Sequence, residues 1–351
     1  MILIDGRPLQ TYSKYRGIGR YTKSLIETFE NYNQFFFLFF KNHDYNFNNS
    51  VNISSPKKLI TFSDKFFLKK LLEDSNFIIY HSTGYALPKF PLKTKKILTI
   101  YDLTPLLFPN YFSYKHKFIF KMILKSGKYA DKIICISEST KKDLLRFFPE
   151  YASKTKVIYP FIKSDFCYSK KSSDSIDKKY FLFVGGNDKI KNLDTILRAI
   201  KKTGLKLKIV GKFNDKEKKE LLREHIRIQD KIVFTGFIDG ERLKNLYKNA
   251  IALLYPSLNE GFGYPPLEAL RCGTPSIVSK KGSLPEVLKE NALYLDDPLD
   301  SDELADKMMK LSENISLREK IVERSEKLLS TYSQNSFEKK ILSIYQELKA
   351  F

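Results

Sequence analysis

Three cysteines in 351 residues are too few for a disulfide framework. Cys135, Cys167 and Cys272 are odd in number, far apart and without metal-ligand spacing. They point to a reducing compartment, the cytoplasm. No apolar run approaches the ~20 residues that span a bilayer. The most apolar, FFFLFF at Phe35–Phe40, reads as a buried strand. The N-terminus MILIDGRPL opens directly as a strand, with no charged n-region, apolar h-region or cleavage site, so no signal peptide is expected. There is no short-period repeat and no low-complexity tract beyond one polar stretch. No zinc knuckle, RNP-like motif or basic helix-turn-helix is present, so a nucleic-acid partner is not expected. No Asp-x-Asp falls at a strand end, so no metal site is expected. Acid is scarce relative to base: 40 Asp+Glu stand against 61 Lys+Arg, a net charge of +21. Such an excess favours an anionic partner, or reflects a lysine-rich composition decorating solvated faces.

What is present is a rhythm of short apolar segments with polar ends, separated by helical stretches. ILIDG, FFFLFF, NFIIYHS, KILTIYD and DKIICIS form one series. KYFLFVGG, KLKIVGK, KIVFTGF, IALLYPS and PSIVSK form another. Strands alternating with helices predict parallel sheets. The serine- and lysine-rich SDFCYSKKSSDSIDKK between the series reads as a linker. Two doubly wound α/β domains are predicted, residues 1–168 and 169–334, with a C-terminal helix at about 335–351 packing back on the first. The strand ends of both would face a shared cleft.

Three places have the chemistry of phosphate binding. Gly17 and Gly19 in YRGIGRYTKSL sit between a strand and a helix, where small residues let an anion reach free N–H groups; a plain turn has the same composition. In VGGNDKIKNLDTI, Gly185 and Gly186 end a strand, and Lys189 and Lys191 precede a helix. A lysine there neutralises a diphosphate or is simply solvated. In LNEGFGYPPLEALRCGTP, Gly261, Phe262, Gly263 and Tyr264 follow Glu260, and Glu268 comes eight residues after it. Because proline fits a first helical turn, a helix is expected from near Pro266 to Gly273, with Glu268 in its first turn. Carboxylates accept paired hydrogen bonds from sugar hydroxyls, and an acid in a first turn also suits the helix dipole. His81 ends a strand in IIYHSTGYALP, as a structural histidine or a site residue.

The spacing of Glu260 and Glu268 inside NEGFGYPPLEALRCGTPSIVS resembles the signature of the retaining family 4 glycosyltransferases. GRPLQTYSKYRGIGRYTKSL, IYDLTPLLFP, IICISESTKKDLL, VIYPFI, FVGGNDKIKNLDTILRAI and KIVFTGFIDGERLKNLYKNA extend the resemblance over most of the chain. Within the family, the chain looks most like mannosyltransferases of bacterial surface polysaccharides. The resemblance implies a GT-B fold, with two Rossmann-like domains facing a cleft, the first on the acceptor side and the second binding the donor. It implies that Glu260 contacts the donor sugar, Glu268 the nucleotide ribose and Lys191 the diphosphate. Gly17 and Gly19 would close over that diphosphate; Gly261, Phe262, Gly263 and Tyr264 would line the sugar and phosphate. Two positions depart from the pattern. Gly186 stands where many members have arginine, with Lys189 or Lys212 as substitutes. Tyr101, before Asp102, stands where many have histidine.

The implied reaction is metal-independent, retaining transfer of a hexose from a nucleotide diphosphate sugar. GDP-mannose is the favoured donor and a UDP-sugar the alternative, with no other cofactor. The acceptor would be a glycan or polyprenyl-linked glycan of surface polysaccharide, lipopolysaccharide or capsule. The remoter alternatives are a GT-B phosphorylase or epimerase and, from the net charge alone, a nucleic-acid-binding protein. Phe62–Glu73 and Ser113–Lys132 interleave lysines with aromatics, as in helices that lie on an anionic bilayer or as in core helices with solvated lysines. The expected location is the inner face of the plasma membrane, as a peripheral protein.

Overall fold

The computed structural model describes residues 1–41, 45, 47, 49–54, 67–84, 86–88, 93–163, 179–238 and 240–349. Cys167, nearly all of the linker stretch, and Lys65 and Phe66 of the first basic segment lie outside them. The chain divides into two compact units: Met1–Phe161 with Gln334–Phe351, and Ile162–Ser333.

The first unit is a parallel sheet of β1 (Ile2–Asp5), β2 (Phe35–Phe40), β3 (Ser50–Ile53), β4 (Ile79–Ser82), β5 (Lys95–Ile100), β6 (Lys132–Cys135) and β7 (Thr155–Val157). Its order is β3-β2-β1-β4-β5-β6-β7, with every pairing parallel. Strands covered on both faces read as continuous apolar runs, which is why FFFLFF is a strand. The second unit repeats the plan with β8 (Tyr180–Val184), β9 (Leu207–Val210), β10 (Ile232–Gly236), β11 (Ala250–Tyr255), β12 (Ser276–Ser279) and β13 (Leu293–Leu295). These run in the order β10-β9-β8-β11-β12-β13, again all parallel. The strand order reverses between β1 and β4 in one unit and between β8 and β11 in the other. Such reversals open a crevice at the carboxyl ends of the strands.

The helix Gln334–Lys349 belongs to the first unit and buries Phe337, Ile341, Ile344, Tyr345 and Leu348 there. Its Phe337 ring meets Tyr21 edge-on. At the end of β1, Asp5 and Arg7 form a fully buried pair at 2.7 Å. The Tyr80 hydroxyl donates to Asp5 at 2.8 Å and accepts from Arg7 at 3.2 Å. This network satisfies two buried charges that would otherwise be strongly unfavourable.

The helix Tyr114–Lys125 buries only Leu124. Tyr114, Phe118 and Ile119 are exposed beside exposed Lys115, Lys121 and Lys125. In the short helix Lys69–Asp74, Lys69 pairs with Glu73 at 3.7 Å and Leu72 is buried. No helix among the described residues is long and apolar enough to cross a membrane.

Candidate functional site

The site in the second unit grows from the reversal between β8 and β11. Beyond β8 the chain makes a short turn, Lys189–Lys191, capped by Asp188, whose side chain accepts from the Ile190 amide at 3.1 Å. Asn192 closes the turn at φ +57, a left-handed conformation that asparagine tolerates better than most residues. Its side-chain amide donates to the carbonyls of Pro256 at 3.0 Å and Pro298 at 2.6 Å. The Leu258 amide donates to the Ile190 carbonyl at 2.8 Å. The turn after β8 is thereby bound to the loop after β11, which brings Lys191 to Glu260 across the sequence.

Lys191 Nζ lies 2.6 Å from Glu260 Oε1 and 2.8 Å from the Tyr255 hydroxyl. The lysine side chain is 25% exposed and the glutamate 11%. Burial works to lower the Lys191 pKa, but the adjacent Glu260 carboxylate and Tyr255 hydroxyl outweigh it and hold the ammonium above the ordinary lysine value. Tyr255 is buried at the end of β11, and burial, reinforced by Glu260, pushes its hydroxyl up. Lys191 is therefore a firmly protonated cation near a partly screened carboxylate.

The backbone of Glu260 is clamped from the other side. Its carbonyl accepts from the Ser283 amide at 3.0 Å. Gly282 has φ +58, and a Cβ there would sit 2.5 Å from the Glu260 carbonyl oxygen and 2.6 Å from its amide nitrogen. A larger residue would displace the carboxylate that Lys191 holds.

The helix after the loop starts earlier than its prolines suggested. It spans Tyr264–Arg271, because Gly263 at φ +88 makes the turn and both Pro265 and Pro266 fit the first turn, where N–H groups have no intrahelical partner. Glu268 consequently lies in the second turn, so the helix-dipole account does not apply to it. It is buried, and its Oε2 accepts from the Tyr247 hydroxyl at 3.1 Å. Phe262 is buried edge-on against Tyr264 and Tyr332, so it anchors the loop and leaves Gly261 partly open. Gly186 has room: a Cβ there would meet nothing closer than the Lys212 carbonyl at 3.9 Å. Lys189 is exposed, and the Lys212 ammonium lies 5.6 Å from the centre of the Phe237 ring.

The first-unit candidates fare differently. Gly17 and Gly19 are not loop residues; they open the helix Gly17–Phe29. A Cβ at Gly19 would lie 2.5 Å from Lys14 Cα, so this glycine makes room for the turn Tyr12–Tyr15. His81 lies inside the first unit. It is fully buried, with Nδ1 2.7 Å from the Tyr345 hydroxyl and Nε2 2.8 Å from Thr99 Oγ1. Burial lowers its pKa to about 3, so the imidazole is neutral. Tyr101 donates to the Thr83 carbonyl at 2.6 Å, and Asp102 accepts from the Thr104 amide at 2.8 Å. Both are partly exposed at the end of β5.

Sequence reasoning passed over Tyr255, Tyr247, Asn192 and Gly282. Tyr255 alone left a usable signal, as the polar residue closing the apolar IALLY beside the motif.

The family model described as Glycosyltransferase Family 4 matches residues 15–166, and that described as Glycosyl transferases group 1 matches residues 168–328. Among curated relatives, the O-antigen chain mannosyltransferase RfbU of Salmonella typhimurium is 31% identical over 65% of this chain and 63% of its own length. The serotype-specific mannosyltransferase WbdA of Escherichia coli is 25% identical over 84% of this chain and 42% of its own. The chain thus spans less than two thirds of these relatives. Among solved structures, the sucrose-phosphate synthase of Thermosynechococcus elongatus superposes with a TM-score of 0.81 at 17% identity, over 100% of both chains.

Proposed function

We propose, for a chain that belongs to the family 4 glycosyltransferases and has their GT-B fold, that it moves a mannosyl group from GDP-mannose to a glycan or polyprenyl-linked glycan of a bacterial surface polysaccharide. The observation that carries this reading is the Lys191–Glu260 pair at 2.6 Å beside the strand-order reversal. The mannosyltransferase names of RfbU and WbdA favour the sugar.

In the proposed reaction the bond from C1 of the sugar to the diphosphate oxygen breaks, and a bond from C1 to the acceptor oxygen forms on the same face, retaining configuration. The leaving phosphate oxygen takes the acceptor's proton. Negative charge grows on the diphosphate as C1 becomes cationic, so a cation already in place favours the transition state over the ground state. Lys191 supplies that cation, with the Gly261–Gly263 backbone offering N–H groups. Glu260 orients the sugar and Glu268 accepts from the ribose hydroxyls. The second unit binds the donor and the first the acceptor. No metal enters this scheme.

The exposed face of the helix Tyr114–Lys125 supports a peripheral position on an anionic membrane, where a lipid-linked acceptor would be found. Aromatic side chains beside lysines suit such a surface.

Thermal shift with GDP, UDP and their sugars tests the donor. Stabilisation by GDP and GDP-mannose is expected; stabilisation by UDP species alone would move the assignment to a UDP-sugar. NMR of the product anomer tests retention, and activity in excess chelator tests metal independence.

A further inference from the structure

Tyr255 has no part in the scheme above, yet it sits at its centre. Its side chain is buried, its hydroxyl accepts from Lys191 at 2.8 Å, and its ring centre is 5.0 Å from the same ammonium. A phenol that accepts from an ammonium still has its own proton to donate. The neighbouring acceptor is the Glu260 carboxylate, held by the same ammonium at 2.6 Å.

This arrangement matters because Lys191 is already engaged. If it is to hold a diphosphate, it must loosen from Glu260. Glu260 is only 11% exposed. Stripped of its cation there, it would be a poorly solvated, unpaired carboxylate, which is strongly unfavourable. When the diphosphate carries no sugar whose hydroxyls could donate to Glu260, a donor of the protein must remain on it.

We propose that Tyr255 is the positioning residue that lets Lys191 change partners: as a diphosphate draws the ammonium off Glu260, the Tyr255 hydroxyl stays behind as the hydrogen-bond donor to that carboxylate. No covalent bond changes and no net proton moves. This inference rests on the reading that Lys191 takes the donor diphosphate.

The test is a double-mutant cycle read by calorimetric titration of GDP and of guanosine. In the wild-type background, Tyr255→Phe keeps the ring and removes the donor. It should weaken GDP roughly ten- to a hundredfold, the range for a hydrogen bond to a charged group. Guanosine, which carries no phosphate, should change less than about threefold. In a Glu260→Gln background no carboxylate is left to protect, and Tyr255→Phe should change GDP affinity less than about threefold. A merely structural tyrosine would show the same loss in both backgrounds, and that equality would overturn the inference. So would an undiminished GDP affinity in the single variant. Lys191→Ala separates the two levels. If it leaves GDP affinity unchanged, the underlying reading falls and this inference with it. If it weakens GDP while the Tyr255→Phe losses are equal in both backgrounds, only the inference falls. Should Tyr255→Phe melt early, all four members of the cycle are titrated at a temperature where each is folded, because only the difference between the two backgrounds reads the protected-carboxylate term.

Discussion

Replacing Glu260 with glutamine should move affinity and turnover in opposite directions. The substitution keeps the shape and removes the charge. In the free protein the carboxylate competes with any anion for Lys191, from 2.6 Å and at 11% exposure. Two unit charges about 4 Å apart interact by roughly 4 kcal/mol at an effective dielectric of about 20. Desolvation takes back much of this, so a net competition of about 1–2 kcal/mol is reasonable. Removing it should tighten a nucleoside diphosphate by roughly five- to thirtyfold. The repulsion between Glu260 and the phosphates acts in the same direction. Turnover should fall by about 10²–10³, as when one preorganised transition-state contact is lost. The assay pairs calorimetric titration of GDP with initial rates at saturating GDP-mannose. A thermal melt bounds any folding effect, since ~1 kcal/mol corresponds to roughly 2–4 °C for a unit of this size. Weaker GDP binding, or unchanged turnover, would refute the assignment of Lys191 and Glu260 to opposite jobs.

Gly282→Ala should lower both turnover and melting temperature, by about 1–3 kcal/mol in stability, because its Cβ would press on the Glu260 backbone from a left-handed φ of +58; wild-type activity would show that the backbone yields. His81 is a pH probe of the first unit. Its folded pKa of about 3 lies below the ordinary histidine value of 6.5, so only the unfolded chain takes up its proton between those values. Stability from this group is complete above pH 6.5 and falls by about 1.4 kcal/mol per pH unit toward pH 3. Urea midpoints of wild type and His81→Gln across that window should converge as pH falls, and parallel curves would refute the neutral-histidine account. The protein should sediment with anionic but not neutral vesicles at low salt, and Lys115→Glu with Lys121→Glu and Lys125→Glu should abolish this, each lysine contributing ~1 kcal/mol; equal binding to both vesicle types would refute the membrane face.

The α/β class, the two series of parallel strands and the EGFG loop that leads from a strand into the PPLE helix were all legible in the sequence. Each is written locally: an apolar run with a polar end, a glycine turn, prolines that only a first turn accepts. The short strands Ser50–Ile53, Thr155–Val157 and Leu293–Leu295 were not, since three or four residues carry too little periodicity and are held by their neighbours' ladders. The buried Asp5–Arg7 pair was equally silent, because its solvation depends on Tyr80, which only the pairing of β1 with β4 brings near. His81 looked like a strand-end residue by position, and its full burial against Tyr345 and Thr99 was set only by the tertiary packing. Composition and spacing picked out Lys191 and Glu260 separately. That they hold each other, with Tyr255 on the same ammonium, was decided by the adjacency of β8 and β11 and by Asn192 binding one loop to the other. A sequence names groups that can be charged; which charges meet, and how dry they are when they do, is a property of the packed chain.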